Sequence, residues 1–181
     1  SETENFPVST SVGEIGGPWQ VNFDPELGGP GEVTFPVLGD WTRRSEPGIK
    51  HFSGIATYRT TFDLPPATAS DGGRLLLDLG VVHNLARVRL NGQDLGALWC
   101  APWQVDVTGA VQERDNRIEI DVANLWPNRL IGDQALPPEQ RIAWTTFEPY
   151  KADSPLLPSG LLGPVTLNTM TPYNPIHGAD Q

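Results

Sequence analysis

The sequence predicts an all-β protein, an antiparallel β-sandwich or jelly roll, on three observations. Short stretches alternate apolar and polar residues with a period of two, the pattern of strands that bury one face. The chain is rich in turn formers, with 19 Gly and 18 Pro among 181 residues. These show no repeat period, so they punctuate strands rather than build a fibrous array. No stretch carries helical periodicity over a convincing length, and the alternating stretches recur at the spacing of sandwich and barrel proteins.

Each element follows from its own pattern. Trp19, Val21 and Phe23 supply the first strand, and Val33 to Val37 the next. In 58–64, Tyr58, Phe62 and Leu64 face one side, while Arg59, Thr61 and Asp63 face the other. Leu75, Leu77 and Leu79 make a strand closed by Gly80. Ala86, Val88 and Leu90 alternate with Arg87 and Arg89 and run into Asn91-Gly92. That dipeptide suits a tight type I′ hairpin, whose two central residues both need positive φ. Leu95 to Trp99 is the return strand; Val105 and Val107 follow, then Ile118, Ile120 and Val122 interleaved with Glu119 and Asp121. Pro164 to Leu167 closes the set. Trp19 and Trp41 are expected in the core.

Two segments break this rhythm: residues 38–54 and the longer excursion 125–161, which holds Trp126, Trp144, Phe147 and Tyr150. Loops of that length in a compact domain are usually functional or interface-forming. The expected organisation is a linker or N-terminal extension over 1–16, one β-sandwich domain over 17–169 and a C-terminal tail over 170–181.

The composition excludes several classes. A formal net charge of −10 opposes non-specific binding to nucleic acid, which rests on Lys and Arg meeting phosphates. It equally opposes attachment to an anionic membrane surface. The single cysteine, Cys100, leaves no intramolecular disulfide and no thiolate metal cluster. No apolar run approaches the roughly 20 residues that span a bilayer. The start Ser1-Glu2-Thr3-Glu4 lacks the basic-then-apolar layout of a signal peptide.

Catalytic motifs are scarce, and no catalytic residue is assigned. Gly28-Gly29-Pro30-Gly31 is followed by Glu32 rather than by a phosphate-cradling helix. Pro158-Ser159-Gly160 reads as a turn, not a nucleophile elbow. His51, His83 and His177 are far apart and form no metal-spaced pair. Asp40, Glu46, Asp78, Asp94, Asp106, Asp121, Asp133 and Glu148 could in principle furnish a glycosidase-like carboxylate pair, although most sit on strand faces turned to solvent. Asp24, Glu26 and neighbouring carbonyls form an oxygen-rich group of the kind calcium prefers, so a structural calcium ion is the one cofactor left open.

The aromatics are more informative. A sugar ring offers an apolar C–H face and a belt of hydroxyls, so its sites combine a flat aromatic with Asn, Arg or Asp. Trp126-Pro127-Asn128-Arg129 and the loop Trp99-Cys100-Ala101-Pro102-Trp103 fit that description. For Trp126 and Trp144 two readings stand side by side, contact with a ligand and packing against another domain.

Several ordered segments carry a family resemblance. They include Gly54-Ile-Ala-Thr-Tyr58, Leu75-Leu-Leu-Asp78-Leu-Gly80, Val88-Arg-Leu-Asn91-Gly92, Trp99-Cys-Ala-Pro102-Trp103, Asn124-Leu-Trp126-Pro-Asn128-Arg129 and Ser159-Gly160-Leu-Leu-Gly163-Pro164. Together they resemble the galactose-binding-like sugar-binding jelly roll of glycoside hydrolase family 2. They are also similar to the β-sandwich domain carried by family 106 α-L-rhamnosidases. Two departures from that pattern are His51, where an aromatic is common, and Glu113-Arg114-Asp115 in place of a short Gly-containing turn.

The resemblance implies a non-catalytic accessory module of a multidomain glycoside hydrolase whose catalytic domain lies elsewhere. In that setting Trp99, Trp126 or Trp144 would stack on a saccharide, and Asn128, Arg129 and Asp133 would bond its hydroxyls. It also implies rhamnose-containing plant glycans as ligands, the parent chain's catalytic domain as partner, and an extracellular or periplasmic location. The alternatives are a purely structural interdomain scaffold without sugar affinity and a free-standing glycoside hydrolase.

Overall fold

The computed structural model describes residues 8–66 and 73–171. It contains twelve strands, β1 (Val8–Glu14), β2 (Trp19–Phe23), β3 (Gly31–Phe35), β4 (Ile55–Phe62), β5 (Arg74–Asp78), β6 (Val81–His83), β7 (Leu85–Leu90), β8 (Gln93–Leu98), β9 (Gln104–Asp106), β10 (Asn116–Ala123), β11 (Gly160–Gly163) and β12 (Thr166–Thr171). Two short helices, α1 (Pro47–Lys50) and α2 (Pro127–Asp133), sit between strands. A six-stranded antiparallel sheet in the order β3-β2-β4-β10-β7-β8 faces a four-stranded one in the order β1-β12-β5-β9, and β6 and β11 form a two-stranded ribbon. The all-β sandwich is therefore the observed architecture.

The expected alternation selects the core. Along β2 the residues alternate strictly between buried and exposed, and along β10 every second side chain, from Asn116 to Val122, is buried. Trp19 and Trp41 are both in the core, with Phe23, Phe35, Phe52 and Tyr58. These rings meet mostly edge-to-face, as between Phe23 and Phe52 at 5.1 Å and 83°, the geometry that ring quadrupoles favour. Trp41 Nε1 donates to the Tyr58 hydroxyl at 2.5 Å, and Leu161 N donates to the same oxygen at 3.3 Å. The Asn91-Gly92 turn has φ of 53° and 82°, so the predicted hairpin joins β7 to β8.

Residues 8–14 correct the sequence reading. They were expected in the N-terminal extension but form β1, which pairs antiparallel with β12 from Val8–Thr171 to Glu14–Thr166. The pairing satisfies the outer backbone groups of β12, which would otherwise be an open sheet edge. Ile15 then turns into the core, its amide donating to Val165 O at 2.8 Å. Residues 1–7 of the expected linker, residues 172–181 of the expected tail and His177 lie outside the described residues.

Candidate functional site

The excursion 125–161 leaves the six-stranded sheet at the C-terminal end of β10. Asn124 fastens its root, donating from Nδ2 to Phe52 O at 2.9 Å while its amide donates to Gly54 O at 2.9 Å. Ser53 donates its hydroxyl proton to Leu125 O beside them. Pro127 then opens α2 with the fixed φ a first helical turn tolerates.

The polar side chains of α2 point inward. Asn128 is 1 % exposed, Arg129 5 % and Asp133 2 %. Asn128 spends both ends of its amide on one residue across the excursion: Nδ2 donates to Leu157 O at 2.7 Å and Oδ1 accepts from Leu157 N at 2.8 Å. Asp133 Oδ2 accepts from Ile142 N at 3.1 Å and Ala143 N at 2.7 Å. Its other oxygen faces Arg129 Nε at 3.2 Å, one helical turn away, an ion pair whose alignment falls short of a hydrogen bond. The Arg129 guanidinium also abuts Gly28 and Gly132, and Gly132 lies against the His51 ring. Burial, and then the charges of Arg129 and Lys50, hold the His51 imidazole below its usual value.

The aromatic side chains point the other way. Trp144 is 83 % exposed and Trp99 77 %; Trp126, Phe147, Leu125, Ile142 and Leu157 are exposed as well. Trp99 lies apart in sequence, one residue beyond the last pair of the β7–β8 ladder, Ala86–Leu98. The register nonetheless brings it to the same end of the sheet. Ile55, Ala123 and Leu85 form one rung across β4, β10 and β7, and Trp99 follows on β8. Ile55 and Leu85 are exposed, so this end of the outer sheet face is apolar and continuous with the root of the excursion.

Of the expected site residues, then, Asn128, Arg129 and Asp133 are buried on α2, Asn128 and Asp133 hydrogen-bonded to the far limb of the excursion and Arg129 ion-paired with Asp133, and Trp126, Trp144 and Trp99 stand outward. Trp144 also lines an open cavity of about 340 Å³ with Gln134, Arg141, Thr145 and Glu148. Arg141 and Glu148 are ion-paired there at 2.8 Å.

Seven of the other candidate carboxylates have partners within the chain. Asp40 accepts from Thr42 N at 2.9 Å and Ser159 N at 3.2 Å, and Asp78 from Gly80 N at 2.8 Å and Gln104 Nε2 at 2.9 Å. Glu46 pairs with Arg44, Asp94 with Arg87, Asp106 with Arg74 and Asp121 with Arg89. Asp24 caps the following 3-10 turn by accepting from Glu26 N at 2.9 Å. Among the described residues, no group of three or more His, Cys, Asp or Glu side chains is placed to hold a metal ion. Nor is any helix among them long and apolar enough to cross a membrane.

The profile of the glycosyl hydrolase 2 galactose-binding domain-like family matches residues 51–150. The chain belongs to that family. Among solved structures, a rhamnosidase from Novosphingobium sp. PP1Y superposes with a TM-score of 0.84 at 43 % identity, over 93 % of this chain and 16 % of that one. A Formosa agariphila protein with a provisional β-glucuronidase name is 37 % identical over 179 residues, 86 % of this chain and 15 % of its own. A Ruminococcus gnavus β-glucuronidase shares the fold, with a TM-score of 0.52 at 20 % identity over 68 % of this chain and 22 % of that one. This galactose-binding-like domain thus spans about a sixth of the length of the first two relatives.

Proposed function

We propose that the chain is a non-catalytic accessory domain of a glycoside hydrolase, and that its 125–161 excursion docks onto a neighbouring domain of the same enzyme. The observation that carries this reading is the opposite orientation of side chains in the excursion. Asn128 and Asp133 hold it together by hydrogen bonds and Arg129 is buried against Asp133, while Trp126, Trp144 and Phe147 present exposed rings. Exposed apolar surface of this kind, extended by Ile55, Leu85 and Trp99, marks an interaction site, and aromatic anchors carry most of an interface's energy. Relatives in which such a domain is about a sixth of the chain supply the occupant, a further part of the parent polypeptide. Hydrogen exchange tests this: residues 125–161 exchange more slowly in the intact parent enzyme than in the 181-residue chain. Equal exchange in the two would overturn it.

A second reading, saccharide contact, is favoured by the cavity beside Trp144, where a flat ring meets the Arg141–Glu148 pair and the Gln134 amide. The rhamnosidase relative suggests rhamnose-bearing glycans as ligands; a plant source for them and an extracellular or periplasmic setting are part of the same proposal. Calorimetric titration with rhamnose-containing oligosaccharides checks it; heat that Trp144→Ala abolishes supports it, and no heat at millimolar sugar sinks it.

A further inference from the structure

The outer face of the six-stranded sheet changes character along its strands. At the end beside the excursion it is the apolar rung of Ile55, Ala123 and Leu85. Toward the Asn91-Gly92 hairpin the register sets Gln20, Arg59, Glu119 and Arg89 side by side across β2, β4, β10 and β7. On the next outward rung Arg117 stands opposite Thr61. These residues, with Pro18 and Gly92 at the margins, line an open trough of about 490 Å³.

Its charges do not cancel. Arg59, Arg89 and Arg117 line it against a single carboxylate, Glu119. Glu119 accepts from Arg59 Nε and Arg89 Nε, both at 2.5 Å, and Arg89 Nη2 reaches Asp121 at 2.8 Å. The Arg117 guanidinium has no ion-pair or hydrogen-bond partner among the described residues, while its backbone amide donates to Asn91 Oδ1 at 2.8 Å. Widening the group to the adjoining Arg87, Asp94 and Asp121 gives four arginines against three carboxylates, and beyond Arg117 and Thr61 the linked Asp115 and Asp63 follow. The positive excess therefore belongs to the trough lining itself, three arginines against one carboxylate, on a chain whose net charge is −10.

The chemistry of the lining narrows the ligand. A guanidinium presents a planar fork of donors that matches a carboxylate or sulfate. Beside it the Gln20 amide has its oxygen occupied by Thr34 Oγ1 at 3.0 Å, which leaves its NH₂ to donate, and Thr61 offers a hydroxyl. The Pro18 ring and the arginine stems supply apolar flanks. Strands about 4.8 Å apart make the trough a ladder of donors, suited to an extended ligand with repeated hydroxyls. We propose that this trough binds an anionic saccharide, a sugar bearing a carboxylate or sulfate, with Arg117 meeting the oxyanion. It shares no lining residue with the excursion, so it stands or falls apart from the docking reading.

The test titrates the 181-residue chain, by calorimetry and amide chemical shifts, with a uronic-acid oligosaccharide, a sulfated oligosaccharide and their neutral counterparts. At least one acidic sugar binds about tenfold or more tighter than its neutral counterpart, weakens with added salt and moves the amides of Thr61, Arg117 and Glu119. The better of the two acidic sugars identifies the oxyanion. Arg117→Gln loses about tenfold in affinity with its amide spectrum otherwise retained, whereas Arg74→Gln on the other sheet binds unchanged. The proposal is overturned by equal binding of neutral sugars, by an Arg117→Gln variant that binds normally, or by acetate or sulfate ions binding as tightly as the saccharides. It is equally overturned if no sugar binds, including the case in which only an acidic peptide does.

Discussion

Asn128 and Leu157 close a two-bond ring across 29 residues of chain, the side-chain amide of one satisfying both backbone groups of the other at 2.7 and 2.8 Å. This contact makes the two limbs of the excursion one body. Asn128→Ala removes both bonds from a buried site and costs about 1–3 kcal/mol, read from urea unfolding. Hydrogen exchange at the Leu157 amide rises in the variant more than exchange in β4 or β10.

Asp133 is the more expensive residue to lose. It holds two backbone amides and faces the buried Arg129. Asp133→Ala therefore leaves Arg129 buried without its counter-charge and costs about 3–5 kcal/mol, more than Asn128→Ala in the same urea experiment. Asp133→Asn keeps an acceptor for Ile142 and Ala143 but removes the charge, and it costs less.

The same pocket gives a pH dependence. Burial, then Arg129 and Lys50, lower the His51 pKa, while Asp133 opposes them. Below the ordinary imidazole value of 6.5, the unfolded chain takes up a proton that the folded chain still refuses. Stability contributed at His51 is therefore present above that value and declines as pH falls through the window beneath it. In an NMR titration, His51 takes its proton at lower pH than a free imidazole, and Asp133→Asn moves it lower still.

Much of this molecule is written in local pattern, and the rest depends on pairing between distant segments. Period-two alternation exposes β4, β7 and β10, and Asn91-Gly92 exposes the hairpin, because strand faces and turn dihedrals are local properties. β1 is hidden because Ser9, Thr10 and Ser11 form a polar run on an edge strand, which has little apolar surface to bury. In the excursion, Asn128, Arg129 and Asp133 beside a tryptophan look like sugar ligands. The legible signal for their structural use is the four-residue spacing of Arg129 and Asp133 after Pro127, which a helix turns into an ion pair. The trough depends on which arginines lie side by side, and only the register of β2, β4, β7 and β10 decides that.

Gly160 and Trp41 define how tightly β11 closes on the core. Gly160 has φ of +98°, and a Cβ built there would lie 2.4 Å from Trp41 Nε1. Gly160→Ala adds backbone strain to a collision with a buried indole and costs about 3 kcal/mol or more. The near-ultraviolet circular dichroism of Trp41 changes with it, since the ring must shift to admit the methyl group.

Tyr58 supplies the oxygen on which that corner converges, accepting from Trp41 Nε1 and Leu161 N. Tyr58→Phe preserves the ring and strands two buried donors, at a cost of about 1–3 kcal/mol near neutral pH. That cost depends on pH in a direction fixed by burial, which pushes the Tyr58 phenol well above its ordinary value of 10.0. The unfolded protein loses the Tyr58 proton at about 10, while the folded protein keeps it. Stability contributed at Tyr58 is whole below that pH and drains away as pH rises beyond it. Tyr58→Phe has no proton to lose, so the stability gap between the wild type and the variant narrows above pH 10. Urea midpoints at neutral pH and in that alkaline range measure the gap, and a constant gap would show that the Tyr58 hydroxyl titrates in the folded protein as freely as in the unfolded one.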